Sequence, residues 1–293
     1  MAAKHVNKLP LVVIVGPTAS GKTSLAIKLA LKVNGEIISA DSRTVYKGMS
    51  IGTAKPTTKE QSQIPHWGLD LVSPEERFTV ADFKAYATKK IDEIRARGHV
   101  PFLVGGSGLY IDAVIFDYKF GPKVDFDQRM TLENMSIKEL YNYCVNNNIK
   151  LPENHQNKRY LIRAIERKNI STKRRSSPIE NSIIVGIATD KEVLRSRIKT
   201  RVEHLFEDGV VEEATILGGK YGWNHESMTG NIYPLIHSYL ENELTFEQLE
   251  EKSTTLDWRL AKRQLTWLRR NPYIWWGSAD EVYEHVTRAL ANE

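Results

Sequence analysis

The sequence holds a single cysteine, Cys144, among 293 residues. One thiol excludes a disulfide framework and any zinc site built from a cysteine cluster, and it suits a reducing compartment. No apolar run approaches the ~20 residues that span a bilayer, and no charged-then-apolar leader opens the chain, so an unanchored, cytoplasmic protein is expected. Charge of one sign is not in large excess either. Forty-one Lys+Arg against 36 Asp+Glu leave +5, which permits a polyanionic partner without requiring one. Internal repeats, low-complexity tracts and a coiled-coil seam are all missing, and a monomer is expected. What is present, 41% hydrophobic and 26% charged residues, describes a soluble globular chain with room for one large or two modest domains.

The most informative stretch runs from Val12 to Ala26. A β-branched run enters Gly16-Pro17-Thr18-Ala19-Ser20-Gly21-Lys22-Thr23, a Gly-x-x-x-x-Gly-Lys-Thr loop, and a helical pattern follows. Glycines let the backbone curl so that successive N–H groups face one anion, the helix N-terminus adds its positive dipole end, and Lys22 brings a mobile charge. Thr23 is placed to hold a magnesium ion. The candidate phosphate-binding set is therefore Gly16, Thr18, Ala19, Ser20, Gly21, Lys22 and Thr23. The loop does not say which phosphate compound it holds.

Strand-like and helix-like segments alternate beyond it. Strands are expected at Leu11–Val15, Glu36–Ala40 and Val100–Val104, and helices at Lys22–Val33 and Val80–Arg97, which argues for an α/β fold with a parallel sheet flanked by helices and ligands at the carboxyl ends of the strands. Asp41 and Ser107 stand at two such ends. From about Tyr118 the texture changes. Gly121-Pro122 breaks the pattern, a short amphipathic helix with a Ser136/Glu139 capping box follows, and a helix from about Asn157 to Lys168 runs into the basic stretch Ser171–Pro178, which reads as a mobile loop. Residues 118–180 thus look like a small, mainly helical insertion in a core of residues 1–117 and 181–293. Ile183–Ala188 returns as a buried strand, and the remainder reads as mostly helical.

Three basic features have two readings each. Arg159, Arg163 and Arg167 fall at i, i+4 and i+8, as a solvated face or an anion-binding stripe. Arg259, Lys262, Arg263, Arg269 and Arg270 cluster within roughly 120° of helical arc with no acid between them, which fits a phosphate-backbone footprint or a helix docked on acids elsewhere. Arg201 projects into an apolar stripe of Leu194, Ile198 and Leu205, where an arginine is costly unless it meets an internal carboxylate or a bound phosphate. Asp41 alone is compatible with a magnesium holder or base in a small-molecule kinase using ATP, although the strand ending at Gly105-Gly106-Ser107 supplies no carboxylate. A nucleic-acid-binding module with a decayed active site is a further alternative.

Gly16–Thr23, the block Asp41-Ser42-Arg43-Thr44-Val45-Tyr46-Lys47-Gly48-Met49-Ser50-Ile51-Gly52-Thr53-Ala54-Lys55-Pro56, Gly105–Tyr110 and Leu260–Trp267 together resemble tRNA dimethylallyltransferases of the bacterial type. Arg163–Glu166 and Arg197–Val202 are similar as well. The resemblance covers nearly the whole chain, and the Asp41 block is far more specific than the phosphate loop. It implies a P-loop NTPase-like core and transfer of a dimethylallyl group from its diphosphate to N6 of the adenosine 3′ of the anticodon. Asp41 would orient the weakly nucleophilic amine and accept its proton. Lys22, Arg201, the loop N–H groups and magnesium on Thr23 would take the charge of the departing diphosphate, with Ser107, where the family commonly has threonine, near the reacting centre. The resemblance also implies base flipping and tRNA contacts from Asp41, Ser42, Arg43, Thr44, Ser107, Arg159, Tyr160, Arg163, Tyr233, Lys262 and Arg263. The sequence departs from the family at Thr44 (usually glutamine), Ile232 (usually glycine) and Trp67 (usually histidine), and its insertion is shorter than is typical.

Overall fold

The computed structural model describes residues 9–120, 126–168 and 173–291. Strand β1 (Leu11–Val15) is wholly buried along its length, because a parallel strand covered on both faces reads as a continuous apolar run. Helix α1 (Lys22–Lys32) follows the phosphate loop and leads to β2 (Gly35–Ser39). A short helix α2 (Thr58–Gln63) and β3 (His66–Trp67) precede the long α3 (Val80–Ala96), β4 (Val100–Gly105) and α4 (Gly108–Ile115). After the insertion come β5 (Ser182–Ile187), then four helices of the core and a last strand and helix described below.

The sheet is six-stranded and parallel, in the order β3-β2-β4-β1-β5 with a sixth strand, Trp275–Gly277, beyond β5. From β1 to β2 the chain moves one way across the sheet, and from β2 to β4 it moves back. Right-handed crossovers therefore place α1 and α3 on opposite faces. Val12, Ile14, Phe102, Val104, Val185 and Ile187 pack on the α1 face with Leu25, Leu29, Val282 and Val286. The strands at His66–Trp67 and Trp275–Gly277 carry no periodic signal in the sequence. Strands this short are held by the ladder of a neighbour rather than by their own pattern.

The chain divides into two compact units, with boundaries at Ile115/Phe116 and Ser177/Pro178. In the smaller one, α5 (Phe126–Asn134), α6 (Ile137–Asn146) and α7 (Lys158–Arg167) enclose Leu132, Leu140, Cys144, Leu161, Ile162 and Ile165. The Ser136/Glu139 box forms as the sequence predicts: Glu139 N–H donates to Ser136 Oγ at 3.3 Å and Ser136 N–H to Glu139 Oε2 at 2.6 Å. The Gly121-Pro122 break and the Ser171-Thr172 start of the basic loop lie outside the described residues. From Lys173 onward that loop is not free, contrary to expectation. Lys119 N–H bonds to the Lys173 carbonyl at 2.8 Å, Arg175 N–H to the Phe116 carbonyl at 2.8 Å, and Arg174 Nη1 to the Tyr118 hydroxyl at 3.0 Å.

In the larger unit α8 (Lys191–Glu207), α9 (Val210–Tyr221), a 3-10 turn (Glu226–Thr229), α10 (Ile232–Leu240) and α11 (Phe246–Leu268) follow β5, then β6 (Trp275–Gly277) and α12 (Ala279–Ala291). A second apolar cluster joins Val45, Tyr46 and Met49 to Leu205, Val210, Leu217, Ile232, Tyr233, Ile236 and Leu249. The block after Asp41 is thereby pinned to α8–α11 although it forms no regular element.

Candidate active site

The phosphate loop is shaped by two residues in the left-handed region, Ala19 (φ 61°) and Gly21 (φ 88°). Only glycine adopts this conformation freely, so Gly21 is demanded by the turn. Gly21 caps α1 without any side-chain hydrogen bond, which leaves the N–H groups of the first turn available to an anion. Lys22 Nζ donates to the Pro17 carbonyl at 2.6 Å. Burial lowers its pKa to about 8; the nearby Arg201 charge pushes the same way, and Asp41 opposes both. A lysine held there gains much from an arriving anion. Ser20 is 1% exposed with its hydroxyl unpartnered, and that hydroxyl would lie 2.7 Å from a Cβ on Gly16, so its side chain is tucked under the loop rather than offered to a ligand.

Asp41 and Ser107 meet beside this loop. β2 and β4 are neighbours, and their carboxyl ends are stitched by Ala40 N–H to the Val104 carbonyl (2.7 Å), Ser107 N–H to the Ala40 carbonyl (3.3 Å) and Ser42 N–H to Ser107 Oγ (3.1 Å). Asp41 Oδ1 accepts the Arg43 N–H at 2.8 Å, which fixes the carboxylate's rotamer and leaves Oδ2 for another proton or donor. The glycines of the Gly105-Gly106-Ser107-Gly108 turn answer to close packing. A Cβ on Gly106 would sit 2.5 Å from Gln264 Nε2, and one on Gly108 2.1 Å from Trp267 Cδ1. Helix α11 lies directly against the turn.

Arg201 meets an internal carboxylate, one of its two readings, and also reaches into the phosphate loop. Its Nη1 donates to Thr18 Oγ1 in the phosphate loop and pairs with Asp257 Oδ2 at 3.2 Å. Arg197, one turn earlier on α8, brings its Nη1 within 3.8 Å of where a Gly21 Cβ would be. Gln264 Oε1 accepts the Thr18 N–H at 2.8 Å. Arg197, Asp257 and Gln264 are additions that the sequence reading did not single out. Gln264 could have been found from the absence of an apolar role for it on the buried side of α11.

Two of the residues expected to contact tRNA are buried in the loop's support. Tyr233 is 1% exposed, its hydroxyl donates to Glu213 Oε1 at 2.9 Å, and burial followed by the Glu213 charge raises its pKa. Thr44 is 4% exposed, and its hydroxyl pairs with Ser39 Oγ at 3.3 Å. Neither side chain faces solvent, and each braces the loop. Arg43 bridges to the carbonyls of Glu226 and Ser227 and to Thr229 Oγ1 (3.1 Å for the last). Ser42 is half-buried at the site.

The basic stretches remain open. On α11, Arg259, Lys262 and Arg263 are exposed, as are Arg269 and Arg270 just past its end, and none pairs with a carboxylate among the described residues. The opposite side is buried at Ala261 and Leu268, while Trp267 Nε1 donates to Asp112 Oδ2 at 2.7 Å. In the smaller unit, Arg159 and Tyr160 are exposed. Burial, then the charges of Arg159, Arg167 and Arg129, lower the pKa of half-buried Arg163. Unneutralised cations at this density suit a polyanion.

Among the described residues no group of three or more His, Cys, Asp or Glu is arranged to hold a metal. The Thr23 hydroxyl, at the first turn of α1, is the oxygen the phosphate loop offers. A hard ion that keeps its waters and leans on substrate phosphate oxygens fits so sparse a donor set, which makes magnesium compatible with it.

Comparison with known proteins agrees with this geometry. The model of a family described as IPP transferase matches residues 44–271. The chain belongs to the IPP transferase family. A tRNA dimethylallyltransferase of Acetivibrio thermocellus is 41% identical over 92% of this chain and 91% of its own. The crystal structure of the full-length tRNA isopentenylpyrophosphate transferase of Bacillus halodurans matches with a TM-score of 0.75 at 36% identity, covering 97% of this chain and 98% of that one. A eukaryotic dimethylallyltransferase captured acting on tRNA matches with a TM-score of 0.81 at 25% identity, covering 92% and 74%. As expected, the fold is P-loop NTPase-like. The phosphate loop and Asp41 precede the segment matched by the family model, so they are tied to this family through the whole-chain relatives. No helix among the described residues is long and apolar enough to cross a membrane.

Proposed function

We propose that this chain transfers a dimethylallyl group from dimethylallyl diphosphate to N6 of the adenosine adjacent to the anticodon in tRNA, as a cytoplasmic monomer. The observation that carries the reading is Asp41. Its carboxylate stands beside the phosphate loop, near enough for its charge to oppose the lowering of the Lys22 pKa by burial, at a site whose neighbouring strand β4 ends in glycine and is followed by Ser107. An ATP-dependent kinase is not favoured, because β4 brings no carboxylate to a metal.

In the reaction the allylic C–O bond breaks, the N6–C bond forms, and the N6 proton leaves to a base. Asp41 Oδ2 is the acceptor for that proton, with Oδ1 held by the Arg43 N–H. Adenine N6 is a weak nucleophile, so a carboxylate that both orients the amine and removes its proton lowers the barrier. Negative charge grows on the diphosphate oxygens as the bond breaks. Lys22, Arg201 and the uncapped N-terminus of α1 would be the donors for it. Thr23 would hold a magnesium ion, which would add positive charge at the same oxygens. Ser107 would hydrogen-bond near the reacting amine. The target base must be flipped to reach the loop, and Lys262, Arg263, Arg159, Tyr160 and Arg163 would grip the anticodon stem-loop.

The decisive assay supplies the protein and magnesium with an anticodon stem-loop and either dimethylallyl diphosphate or ATP, read by mass spectrometry of the RNA. Gain of one dimethylallyl group supports the reading. Phosphate transfer from ATP without prenylation would overturn it, as would tight RNA binding with no product.

A further inference from the structure

Asp257 lies in the buried stripe of α11 formed by Leu249, Ser253, Asp257, Ala261 and Leu268. A carboxylate in such a stripe is costly unless both oxygens are engaged by donors or charge. Here they are used separately. Oδ2 pairs with Arg201 Nη1 at 3.2 Å, and Oδ1 accepts Asn231 Nδ2 at 3.1 Å. The side chains of Arg201 and Asp257 are 24% and 13% exposed, so the pair is partly withdrawn from water.

The same helix reaches the phosphate loop a second time. Gln264, seven residues after Asp257 and thus on the same face, accepts the Thr18 N–H, while Arg201 donates to the Thr18 hydroxyl. Backbone and side chain of one loop residue are fixed by two positions of α11, one of them acting through Arg201. Around that loop stand the cations Lys22, Arg197 and Arg201. Asp41 faces Lys22, and Asp257 faces Arg201.

We propose that Asp257 is a positioning residue for Arg201, one that fixes the guanidinium across Thr18 and engages part of its charge until the diphosphate begins to leave. A guanidinium already paired with a carboxylate binds ground-state diphosphate less strongly than a free one. As the allylic bond breaks and charge builds on the departing oxygens, the arginine's interaction with them grows relative to its pairing with Asp257. Stabilisation is thus concentrated in the transition state, where it accelerates the reaction. The inference rests on the prenyl-transfer reading, but its electrostatic half is measured without tRNA or an allyl group.

The test uses the full chain carrying Asp257→Asn, which keeps the shape and removes the charge. Titration with inorganic diphosphate and magnesium is expected to show affinity tightened roughly two- to fivefold, the range of a partly exposed ion pair. Turnover with dimethylallyl diphosphate and the stem-loop is expected to fall roughly 10- to 100-fold, with KM for the allylic diphosphate unchanged or lower. A purely structural role would move the two together, lowering the thermal midpoint and weakening diphosphate binding along with kcat. That result overturns the proposal, and so does an unchanged diphosphate affinity or an unchanged kcat. If Asp257→Asn does not fold, Asn231→Ala serves: the charge stays and Oδ1 is released, so diphosphate affinity should hold within about twofold while kcat falls roughly threefold or more. An unaltered kcat in Asn231→Ala contradicts the positioning role. If the wild-type chain forms no prenylated product yet Asp257→Asn still tightens diphosphate binding, the transfer reading fails and the charge relationship stands.

Discussion

Glu213 Oε1 accepts the Tyr233 hydroxyl at 2.9 Å, and the same carboxylate takes the N–H groups of Ser50 and Ile51 at 2.7 Å and of Gly52 at 2.9 Å. One side chain of α9 therefore satisfies three consecutive backbone donors of the block that begins at Asp41. A Cβ on Gly52 would lie 2.7 Å from the Tyr233 ring, so glycine is needed there for the ring to close over the loop. Glu213→Ala orphans those donors and is expected to destabilise the fold by about 3 kcal/mol or more in urea unfolding, with a matching loss of the active fraction.

Tyr233→Phe removes one of those bonds and leaves Glu213 with its three backbone partners. The expected cost is about 1 kcal/mol, with stem-loop affinity unchanged because the ring does not face solvent. A clear loss of RNA affinity at unaltered stability would restore a direct contact for this residue.

Asp41→Asn keeps an oxygen for the Arg43 N–H but cannot take a proton from N6. Turnover should fall by roughly 10²–10⁴ while inorganic diphosphate binds nearly as before. Equal losses in both measurements would argue against Asp41 as the base.

Lys22 is expected to make diphosphate binding depend on pH. Its proton leaves at about pH 8 in the folded chain and 10.5 in the unfolded one. Between those values the unfolded state holds more protons, so the stability of the ligand-free protein rises with pH through that window on account of this group. Diphosphate binding runs the other way, since it needs the charged form and should weaken as pH rises through about 8. Titrations at pH 7 and 9 with the native chain and Lys22→Met test this; the steeper loss should belong to the native chain.

Lys262→Ala and Arg263→Ala should each weaken stem-loop binding while sparing inorganic diphosphate. Each should also reduce the slope of log affinity against log salt by about one, the signature of a phosphate contact. An unchanged slope would return the stripe to an ordinary solvated face.

Much of the core was legible because its signals are local. Leu11–Val15 is continuous and apolar since a parallel strand is buried on both faces, the Gly-Lys-Thr loop announces its own conformation, and Asp41 and Ser107 follow strand patterns directly. The Ser136/Glu139 box needed only a three-residue spacing. The two- and three-residue strands β3 and β6 were not legible, because neighbouring strands hold them and their own patterns do not. Nor were the burial of Tyr233 and Thr44, the grip of Glu213 on Ser50–Gly52, or the convergence of Asp257 and Gln264 on Thr18. The sequence by itself determined a phosphate loop on a parallel sheet with a carboxylate beside it. Only the tertiary structure decided which distant side chains hold that loop, its Arg201 and the block after Asp41, because hydrogen bonds between residues 56, 163 or 246 positions apart arise from packing and leave no periodicity along the chain.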